Sequence, residues 1–437
     1  MNREMRVDNV PRAFFDVRGI MNEKQKAILV SIAKSQSDVE TTTKSLDELE
    51  RLLDTAGGEA VARVIQVKES FDPRTCIGAG KVQEIRGLLE STGADTVVFD
   101  FELSPSQIRN LEDAFGECRV IDRTVLILDI FARHAVTGEG KLQVELAQLK
   151  YTVPRLIGKG AALSRLGGGI GTRGPGESKL ESDKRHLHER IHALEKQLKE
   201  LAETRKTMRA ARDRSGMTKV ALVGYTNAGK STLLNALTDA GVLCEDKLFA
   251  TLDPTTRRLM LPDGQEVLLT DTVGFIRNLP HHLIHAFRST LDEVVYADVI
   301  LLVTDATDPE ANEHIQVTEA LLEELGANNK QLLYVYNKCD NMPEFPHEGL
   351  KRSDNRIYIS ADKGWGLELL LQTIADTIRG GKERVVLTVP YADMGCTASL
   401  RGEGIIESQE YTETGVRFTV LLDRGYVKKY DAYICHE

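Results

Sequence analysis

Short apolar runs alternate with amphipathic stretches over the first third of this 437-residue chain. The runs predict buried strands, and the stretches, in which apolar residues recur every three to four positions, predict helices. Such alternation is typical of a small doubly wound α/β domain. The predicted strands cover residues 27–32, 60–68, 95–101 and 118–122, and the predicted helices cover 43–55, 80–91 and 104–114, the last with Ser104 as its N-cap.

A different pattern, with apolar residues at spacings of four and three, follows Gly140. It predicts two helices whose apolar stripes are best buried against each other as an antiparallel pair. Between them, residues 157–177 contain eight glycines, and a loop this long and glycine-rich exceeds a simple helix connection. The first stripe is Leu142, Leu146, Leu149, Val153 and Leu156, and the second is Leu187, Ile191, Leu194, Leu198 and Leu201.

The rest of the chain predicts a second α/β domain and a short C-terminal module. Apolar runs at 219–223, 266–270, 332–336 and 357–359 predict strands of the α/β domain, and 385–389, 404–411, 415–422 and 427–434 predict strands of the module. We therefore expect an N-terminal extension (1–20), a small α/β domain (21–140), a projecting antiparallel helical hairpin (141–215), a doubly wound α/β domain (216–381) and a small α+β domain (382–437).

A complete GxxxxGKS motif lies between the predicted strand 219–223 and an amphipathic stretch. In this context glycines let successive N–H groups point at phosphate oxygens, and the helix N-terminus adds partial positive charge. We expect Lys230 to reach the β- and γ-phosphates and Ser231 to ligate Mg²⁺. Asn227 could bind a monovalent cation such as K⁺ or serve turn geometry alone, and both interpretations stay open. The candidate phosphate-site residues are Gly224, Tyr225, Thr226, Asn227, Ala228, Gly229, Lys230, Ser231 and Thr232.

A DxxG motif follows the predicted strand 266–270. We expect Asp271 to hold Mg²⁺ through a water and the Gly274 N–H to meet the γ-phosphate, with Thr272 and Val273 between them. Phe275 stands where a Gln often orients the attacking water, and it cannot hydrogen-bond that water. Hydrolysis should therefore be slow alone and accelerated by a partner, although no pattern marks an arginine finger.

The polar segment 249–256 should close over the nucleotide, with one of its threonines ligating Mg²⁺. We interpret Thr255 and Thr256 as turn-forming residues around Pro254, and sequence order alone does not choose among the threonines. The candidate nucleotide contacts in this segment are Phe249, Ala250, Thr251, Leu252 and Asp253.

An NKxD motif follows the predicted strand 332–336, at the sheet edge where open α/β folds bind ligands. The Asp340 carboxylate can accept two hydrogen bonds from guanine, and a site of this kind rejects adenine by about 10⁴–10⁵. Asn337 should hold the loop and touch the base, and the Lys338 stem should cover one ring face. The backbone N–H groups of Ser360 and Ala361 could meet the guanine oxygen.

The composition argues against a membrane-spanning or secreted protein. No apolar run approaches the ~18 residues of a membrane-spanning helix, and residues 1–19 lack the apolar region of a signal peptide. Six scattered cysteines without CxxC pairing are typical of reduced cytosolic thiols, so we expect a cytoplasmic protein. Residues 151–216 contain fifteen Lys and Arg against eight Asp and Glu, a net +7 that leaves −17 for the rest because the whole chain carries −10.

Two interpretations of the glycine-rich loop compete. A second phosphate-binding loop would need a preceding strand and a GK[ST] sequence, and both are missing. The favoured interpretation is a basic finger that enters folded RNA, because glycines permit close approach and Lys and Arg meet phosphates. The candidate RNA contacts are Lys159, Arg165, Gly168, Gly169, Gly171 and Arg173.

With these motifs, the chain resembles HflX-type GTPases over nearly its full length. The resemblance is carried by residues 167–181 (GGGIGTRGPGESKLE), 224–232 (GYTNAGKST), 249–257 (FATLDPTTR), 271–275 (DTVGF) and 337–340 (NKCD). It implies a P-loop GTPase domain at 216–381 and a cytoplasmic protein that binds the large ribosomal subunit. The hairpin tip would reach ribosomal RNA near the peptidyl-transferase centre, and the role would be ribosome dissociation, rescue or subunit biogenesis. The resemblance also implies that Thr251 is the switch I residue that meets Mg²⁺. We expect a monomer.

Two other functions remain as alternatives. A GTP-dependent regulator of a membrane or protease complex would not contact RNA, and the basic finger argues against it. An ATP-driven RNA remodeller could use residues 78–81 (GAGK), but this fragment lacks the upstream glycine and a preceding apolar strand. We interpret it as the start of a helix.

Overall fold

The chain forms two compact units in a computed structural model. The first unit combines residues 1–200, 245–253 and 277–288, and the second combines 201–244, 254–276 and 289–437. The structure describes residues 25–164, 175–213, 217–238, 248–249, 252–278, 280, 283, 288–327, 329–353, 355–380 and 382–434.

The first unit contains a four-stranded parallel sheet in the order β2-β1-β3-β4. The predicted strands and helices of this region are confirmed, including the Ser104 N-cap, whose hydroxyl accepts a hydrogen bond from the Gln107 N–H. The strands are β1 (Gln25–Ala33), β2 (Gly58–Val67), β3 (Thr96–Phe99) and β4 (Arg119–Asp122), and the helices are α1 (Val39–Thr55), α2 (Ala79–Thr92), α3 (Pro105–Phe115) and α4 (Arg123–His134).

Helices cover both faces of this sheet because β1 is apolar on both sides. Ile28 and Val30 pack with α2 and α3, whereas Ala27 and Leu29 point to the opposite face, where α1 contacts β1 and β2. The GAGK fragment forms the start of α2, with Gly78 as its N-cap, as predicted.

Two long helices follow, α5 (Gly138–Ser164) and α6 (Pro175–Asp213). Four residues of each predicted stripe form one apolar cluster around Leu149 and Leu194, and the Arg190 guanidinium pairs with Glu145 at 2.7 Å. Leu149 lies about 22 Å before the end of α5 and Leu194 about 28 Å after the start of α6, so parallel helices that bring these two together would need a connection of about 50 Å. The chain between residues 164 and 175 reaches at most about 40 Å, so the two packed helices run antiparallel.

The second unit contains a seven-stranded sheet in the order β10-β11-β9-β8-β5-β7-β6. The five inner strands are parallel and the two edge strands are antiparallel to their neighbours. The strands are β5 (Thr218–Gly224), β6 (Thr255–Met260), β7 (Glu266–Asp271), β8 (Val299–Asp305), β9 (Gln331–Asn337), β10 (Leu350–Ser353) and β11 (Arg356–Tyr358), with helices α7 (Lys230–Thr238), α8 (Arg288–Val295), α9 (Ala311–Glu324) and α10 (Leu367–Gly380).

The chain ends in a three-stranded antiparallel sheet of β12 (Lys382–Pro390), β13 (Gly404–Tyr411) and β14 (Gly415–Asp423), in the order β12-β14-β13. The helix α11 (Thr397–Glu403) precedes β13.

The strand predicted at 427–434 is wrong. This segment lies in α12 (Arg424–Val427) and a 3₁₀ helix (Lys428–Tyr433). Its apolar residues Val427, Tyr430 and Tyr433 recur every three positions, which suits one face of a 3₁₀ helix. All three pack into the module's core, and Tyr430 is buried there.

Among the helices of the described ranges, none combines the length and the apolar character needed to cross a membrane.

Candidate functional site

The phosphate-binding loop connects the end of β5 to the start of α7, and two of its glycines have no room for a side chain. Gly224 has φ +151°, and a Cβ on it would lie 2.0 Å from the Val303 carbonyl oxygen of β8. Gly229 has φ +87°, and a Cβ there would lie 2.3 Å from Asn337 Nδ2. Both positions therefore require glycine, which lets neighbouring strands press directly against the loop.

Asn337 ties the base-reading motifs to the phosphate-binding loop. Its Nδ2 donates to the Ala228 carbonyl at 3.0 Å, and its Oδ1 accepts from the Ala361 N–H at 2.9 Å. The side chain is buried, with 2% of the residue exposed. This one amide therefore connects three segments that are distant along the chain, as expected for the residue that holds the loop.

Asp340 and its neighbours line the same sheet edge. The Ser360 hydroxyl donates to Asp340 Oδ1 at 2.6 Å, and this bond fixes the carboxylate. The Ser360 N–H bonds to the Trp365 carbonyl, and the Ala361 N–H is taken by Asn337, so both predicted base-contacting amides have protein partners here.

Lys338 adopts a left-handed conformation, and its Nζ lies 2.9 Å from the carboxylate of Asp305. Asp305 was not among the predicted site residues. Its position as the last residue of β8, at the edge where ligands bind, is the signal that could have found it.

Lys230 is buried, and its ammonium is held by backbone oxygens. Its Nζ donates to the Tyr225 carbonyl at 2.8 Å and to the Gly224 carbonyl at 3.1 Å. Burial lowers the pKa of Lys230 to about 8, and the nearby Asp271 carboxylate only partly opposes this shift. A buried cation of this kind favours an anionic ligand, because the ligand's charge replaces the solvation that burial removed.

Ser231 and Asp271 supply oxygen ligands side by side. The Ser231 hydroxyl donates to Asp271 Oδ2 at 2.6 Å, and Asp271 is fully buried at the end of β7. A hydroxyl and a carboxylate beside a phosphate site are hard oxygen ligands, the type that Mg²⁺ takes together with nucleotide phosphates. The residues present therefore fit a magnesium ion. Thr272 faces away and donates to the Leu222 carbonyl at 2.6 Å.

The DxxG segment folds back onto the phosphate-binding loop. The Phe275 N–H donates to the Gly224 carbonyl at 3.1 Å, and the Phe275 carbonyl accepts from the Thr226 N–H at 2.8 Å. A Cβ on Gly274 would lie 2.7 Å from Thr226 Cγ2 and 3.1 Å from Lys230 Nζ. Gly274 is thus brought to the end of the loop where Lys230 lies, while the Phe275 side chain is buried.

Segment 249–253, predicted to close over the nucleotide, has its described side chains engaged within the first unit. The Phe249 ring packs edge-on against Phe131, with centroids 4.7 Å apart. Asp253 accepts hydrogen bonds from the Val136 and Thr137 N–H groups at 2.9 and 2.8 Å and from the Thr137 hydroxyl. Leu252 is buried.

Arg277, which follows the DxxG motif, also bonds within the first unit. The buried Arg123 pairs with Glu48 at 2.8 Å and Asp100 at 2.7 Å, and it donates to the Arg277 carbonyl at 3.1 Å. Asp253 and Arg277 therefore both bond to residues of the first unit, although each lies along the chain between strands of the second unit.

Several predicted site residues have no described side chain. Ala250, Thr251, Arg165, Gly168, Gly169, Gly171 and Arg173 lie outside the described residues. Lys159 lies on α5, of which the structure describes only the backbone at that position.

The aromatic ring of Tyr225 in the phosphate-binding loop has a partner, His314, that was not among the predicted site residues. It stacks on the imidazole of His314 with centroids 3.7 Å apart. The His314 ring also lies 3.4 Å from an Asp308 carboxylate oxygen. Nothing in the spacing of His314 from the loop marks this contact.

Comparisons with known proteins match this arrangement over most of the chain. Three family profiles match, described as "GTP-binding GTPase N-terminal" (residues 43–132), "GTP-binding GTPase Middle Region" (134–212) and "50S ribosome-binding GTPase" (219–338). GTPase HflX of Lacrimispora saccharolytica is 49% identical over 393 residues, which are 90% of this chain and 92% of the relative. The chain belongs to the HflX GTPase family. GTPase HflX of Escherichia coli is 44% identical over 84% of this chain and 86% of its own.

Family membership makes this protein a GTP hydrolase built on a P-loop GTPase domain. A crystal structure of a GTP-binding protein from Sulfolobus solfataricus with GDP is 26% identical, with a TM-score of 0.43, and the match covers 81% of this chain and 98% of that one.

Proposed function

We propose that this cytoplasmic, monomeric GTPase binds the large ribosomal subunit and hydrolyses GTP there. Its role would be ribosome dissociation, rescue of stalled ribosomes or subunit biogenesis. The observation that carries the proposal is the antiparallel pair of α5 and α6, between which the basic, glycine-rich residues 165–174 lie in the sequence. The printed description of the family profile over residues 219–338 supports the same partner.

The charge of the hairpin favours a polyanionic partner. Fifteen basic against eight acidic residues lie in 151–216, within a chain of net charge −10. Such a local excess attracts RNA phosphates, and the glycines allow the backbone to approach folded RNA closely. Lys159, Arg165 and Arg173 would meet phosphates, and Gly168, Gly169 and Gly171 would line the approach near the peptidyl-transferase centre.

Magnesium and the nucleotide would bind at the loop described above. Ser231, Thr251 and, through a water, Asp271 would hold Mg²⁺. When bound, Mg²⁺ neutralises charge on the β- and γ-phosphates. Asn227, at φ +62° in the loop, is the candidate ligand for K⁺. Faster turnover in K⁺ than in Na⁺, lost in Asn227→Ala, would support this role, and equal rates would leave Asn227 with turn geometry alone.

Hydrolysis by the isolated protein should be slow. Phe275 carries no group that can orient water, and both its backbone polar groups bond to the phosphate-binding loop. Groups supplied by a partner can accelerate such phosphoryl transfer by about 10³–10⁵. We assign that acceleration to the ribosome.

Asp253 could couple the nucleotide state to the start of α5. It follows Thr251 by two positions and bonds to residues 136 and 137, directly before the first turn of α5. Ordering of Thr251 by the γ-phosphate and Mg²⁺, and its release after hydrolysis, would therefore act on the base of the hairpin.

Co-sedimentation with purified ribosomal subunits tests the partner. With a non-hydrolysable GTP analogue, the protein should pellet with the large subunit, and the pelleted fraction should fall as salt rises. The paired variant Gly168→Leu/Gly171→Leu should stay in the supernatant while it keeps its affinity for GDP. A wild-type protein that stays in the supernatant would favour the alternative, a GTP-dependent regulator of a membrane or protease complex.

A further inference from the structure

The position that usually orients the attacking water is blocked in this protein. Phe275 is buried, its N–H bonds to Gly224 and its carbonyl bonds to Thr226. Slow turnover still requires that the water be aligned with the γ-phosphate. A different group in the phosphate-binding loop is placed to do this.

Thr226 is a buried residue next to Gly274 and Lys230, two residues that are expected to hold the γ-phosphate. The residue is 7% exposed, and its Oγ1 has no hydrogen-bond partner within the described part of the chain. The place where Gly274 would carry a Cβ lies 2.7 Å from Thr226 Cγ2 and 3.1 Å from Lys230 Nζ. Thr226 and Lys230 thus both lie against Gly274, whose N–H is expected to meet the γ-phosphate.

A buried hydroxyl without a partner is unfavourable, because it gives up its hydrogen bonds to water and receives none in exchange. A valine of the same shape would fill this space without that cost. Among the described residues, Ser45 and Thr304 also have such a hydroxyl, but Thr226 alone of these three lies in the phosphate-binding loop, against Gly274, where a partner can arrive with the substrate. A hydroxyl has one donor and two acceptor sites, which matches a water and a phosphate oxygen together.

We infer that Thr226 is a catalytic residue of GTP hydrolysis. Its Oγ1 accepts a hydrogen bond from the attacking water and donates its own hydrogen to a γ-phosphate oxygen. The water oxygen bonds to the γ-phosphorus, the bond from phosphorus to the bridging oxygen breaks, and that electron pair leaves with GDP. The water's proton passes to the released phosphate, and Thr226 ends the cycle unchanged.

The test compares Thr226→Val, which keeps the shape and loses the hydroxyl, with Thr226→Ser, which keeps the hydroxyl. Thr304→Val is the matched control, because Thr304 on β8 is also buried and its Oγ1 also lacks a partner among the described residues. Three quantities are measured without ribosomes: the single-turnover rate at saturating magnesium GTP, the affinity for GDP, and the affinity for GDP with aluminium fluoride.

Thr226→Val should lower the single-turnover rate by about 10- to 100-fold, the range that the loss of one hydrogen bond to a charged group gives. It should weaken binding of GDP with aluminium fluoride by a similar factor and change GDP affinity less than threefold. Thr226→Ser should recover most of the rate.

Three results would overturn the assignment. One is a rate for Thr226→Val equal to that of the wild type. Another is a serine variant as slow as the valine variant, or a Thr304→Val variant equally slow. The third is a parallel loss of GDP affinity in Thr226→Val, which would mean that Thr226 only shapes the loop. All of these measurements are made on the protein alone, so a negative result would refute the role of Thr226 without bearing on the proposal that the protein binds the ribosome.

Discussion

Replacing Asn337 with alanine should weaken nucleotide binding strongly, although the two side-chain hydrogen bonds of Asn337 are to the protein backbone. The change removes the bond from Nδ2 to the Ala228 carbonyl and the bond to Oδ1 from the Ala361 N–H. With Asn337 only 2% exposed, both backbone groups would lose a buried partner. Each such loss costs about 1–3 kcal/mol.

Water entering the space left by the side chain should recover part of that cost, so we expect about 2–4 kcal/mol in total. Without the two bonds the free protein can let the phosphate-binding loop and the base-reading segment separate, whereas the nucleotide must bring them together again, so this cost should fall on binding. The affinity for GDP should then drop by about 30- to 700-fold.

Titration of a fluorescent GDP analogue measures this change, and Asn341→Ala is the matched control because Asn341 is exposed on the same loop. The control should bind like the wild type. A GDP affinity of Asn337→Ala within threefold of the wild type, with the variant folded by its thermal melt, would refute the role of Asn337 as the tie between these segments.

Four further predictions concern Lys230, Asp253 and Asp340. Burial lowers the pKa of Lys230 to about 8, so the free protein loses this charge above pH 8, whereas bound phosphate favours the ammonium. GDP affinity measured by calorimetry should therefore fall by up to about tenfold per pH unit above pH 8. The Lys230→Arg variant should lack this slope, because arginine does not titrate in that range. The same shift should make the nucleotide-free protein gain stability between pH 8 and 10.5, since the unfolded lysine keeps its proton longer. Asp253→Ala removes the carboxylate that accepts hydrogen bonds from the N–H groups of residues 136 and 137, directly before α5, so the first unit should lose about 1–2 kcal/mol of unfolding free energy. A denaturant titration measures this loss, and an unchanged midpoint would show that these hydrogen bonds do not stabilise the first unit. Asp340→Asn should move base preference from guanine toward xanthine in competition binding, and retained GTP preference would contradict the assigned contact.

Local sequence patterns predicted most of the secondary structure and the position of the phosphate-binding loop. The strands and helices of the first domain follow from apolar periodicity, and Ser104 caps α3 because its capping box lies within four residues. The phosphate-binding loop and Asn337 were also predictable, because each lies at the end of an apolar strand. These features depend on neighbours along the chain, which a sequence shows directly.

Long-range partners were not predictable. Asp253 bonds to residues more than a hundred positions away in the chain, and no local pattern encodes that contact. The edge strand β6 was missed because Thr255–Met260 is mostly polar and half-exposed. The error at residues 427–434 arose because a three-residue apolar spacing can resemble strand alternation over so short a segment.

The central claim is that a GTP site with a blocked water-orienting position is switched on by the ribosome. It is tested most directly by GTP turnover measured with and without purified large ribosomal subunits. We predict slow turnover alone and an acceleration of about 10³–10⁵ with large subunits. Turnover on the order of 10 per second without any partner, or a rate that large subunits leave unchanged, would contradict it.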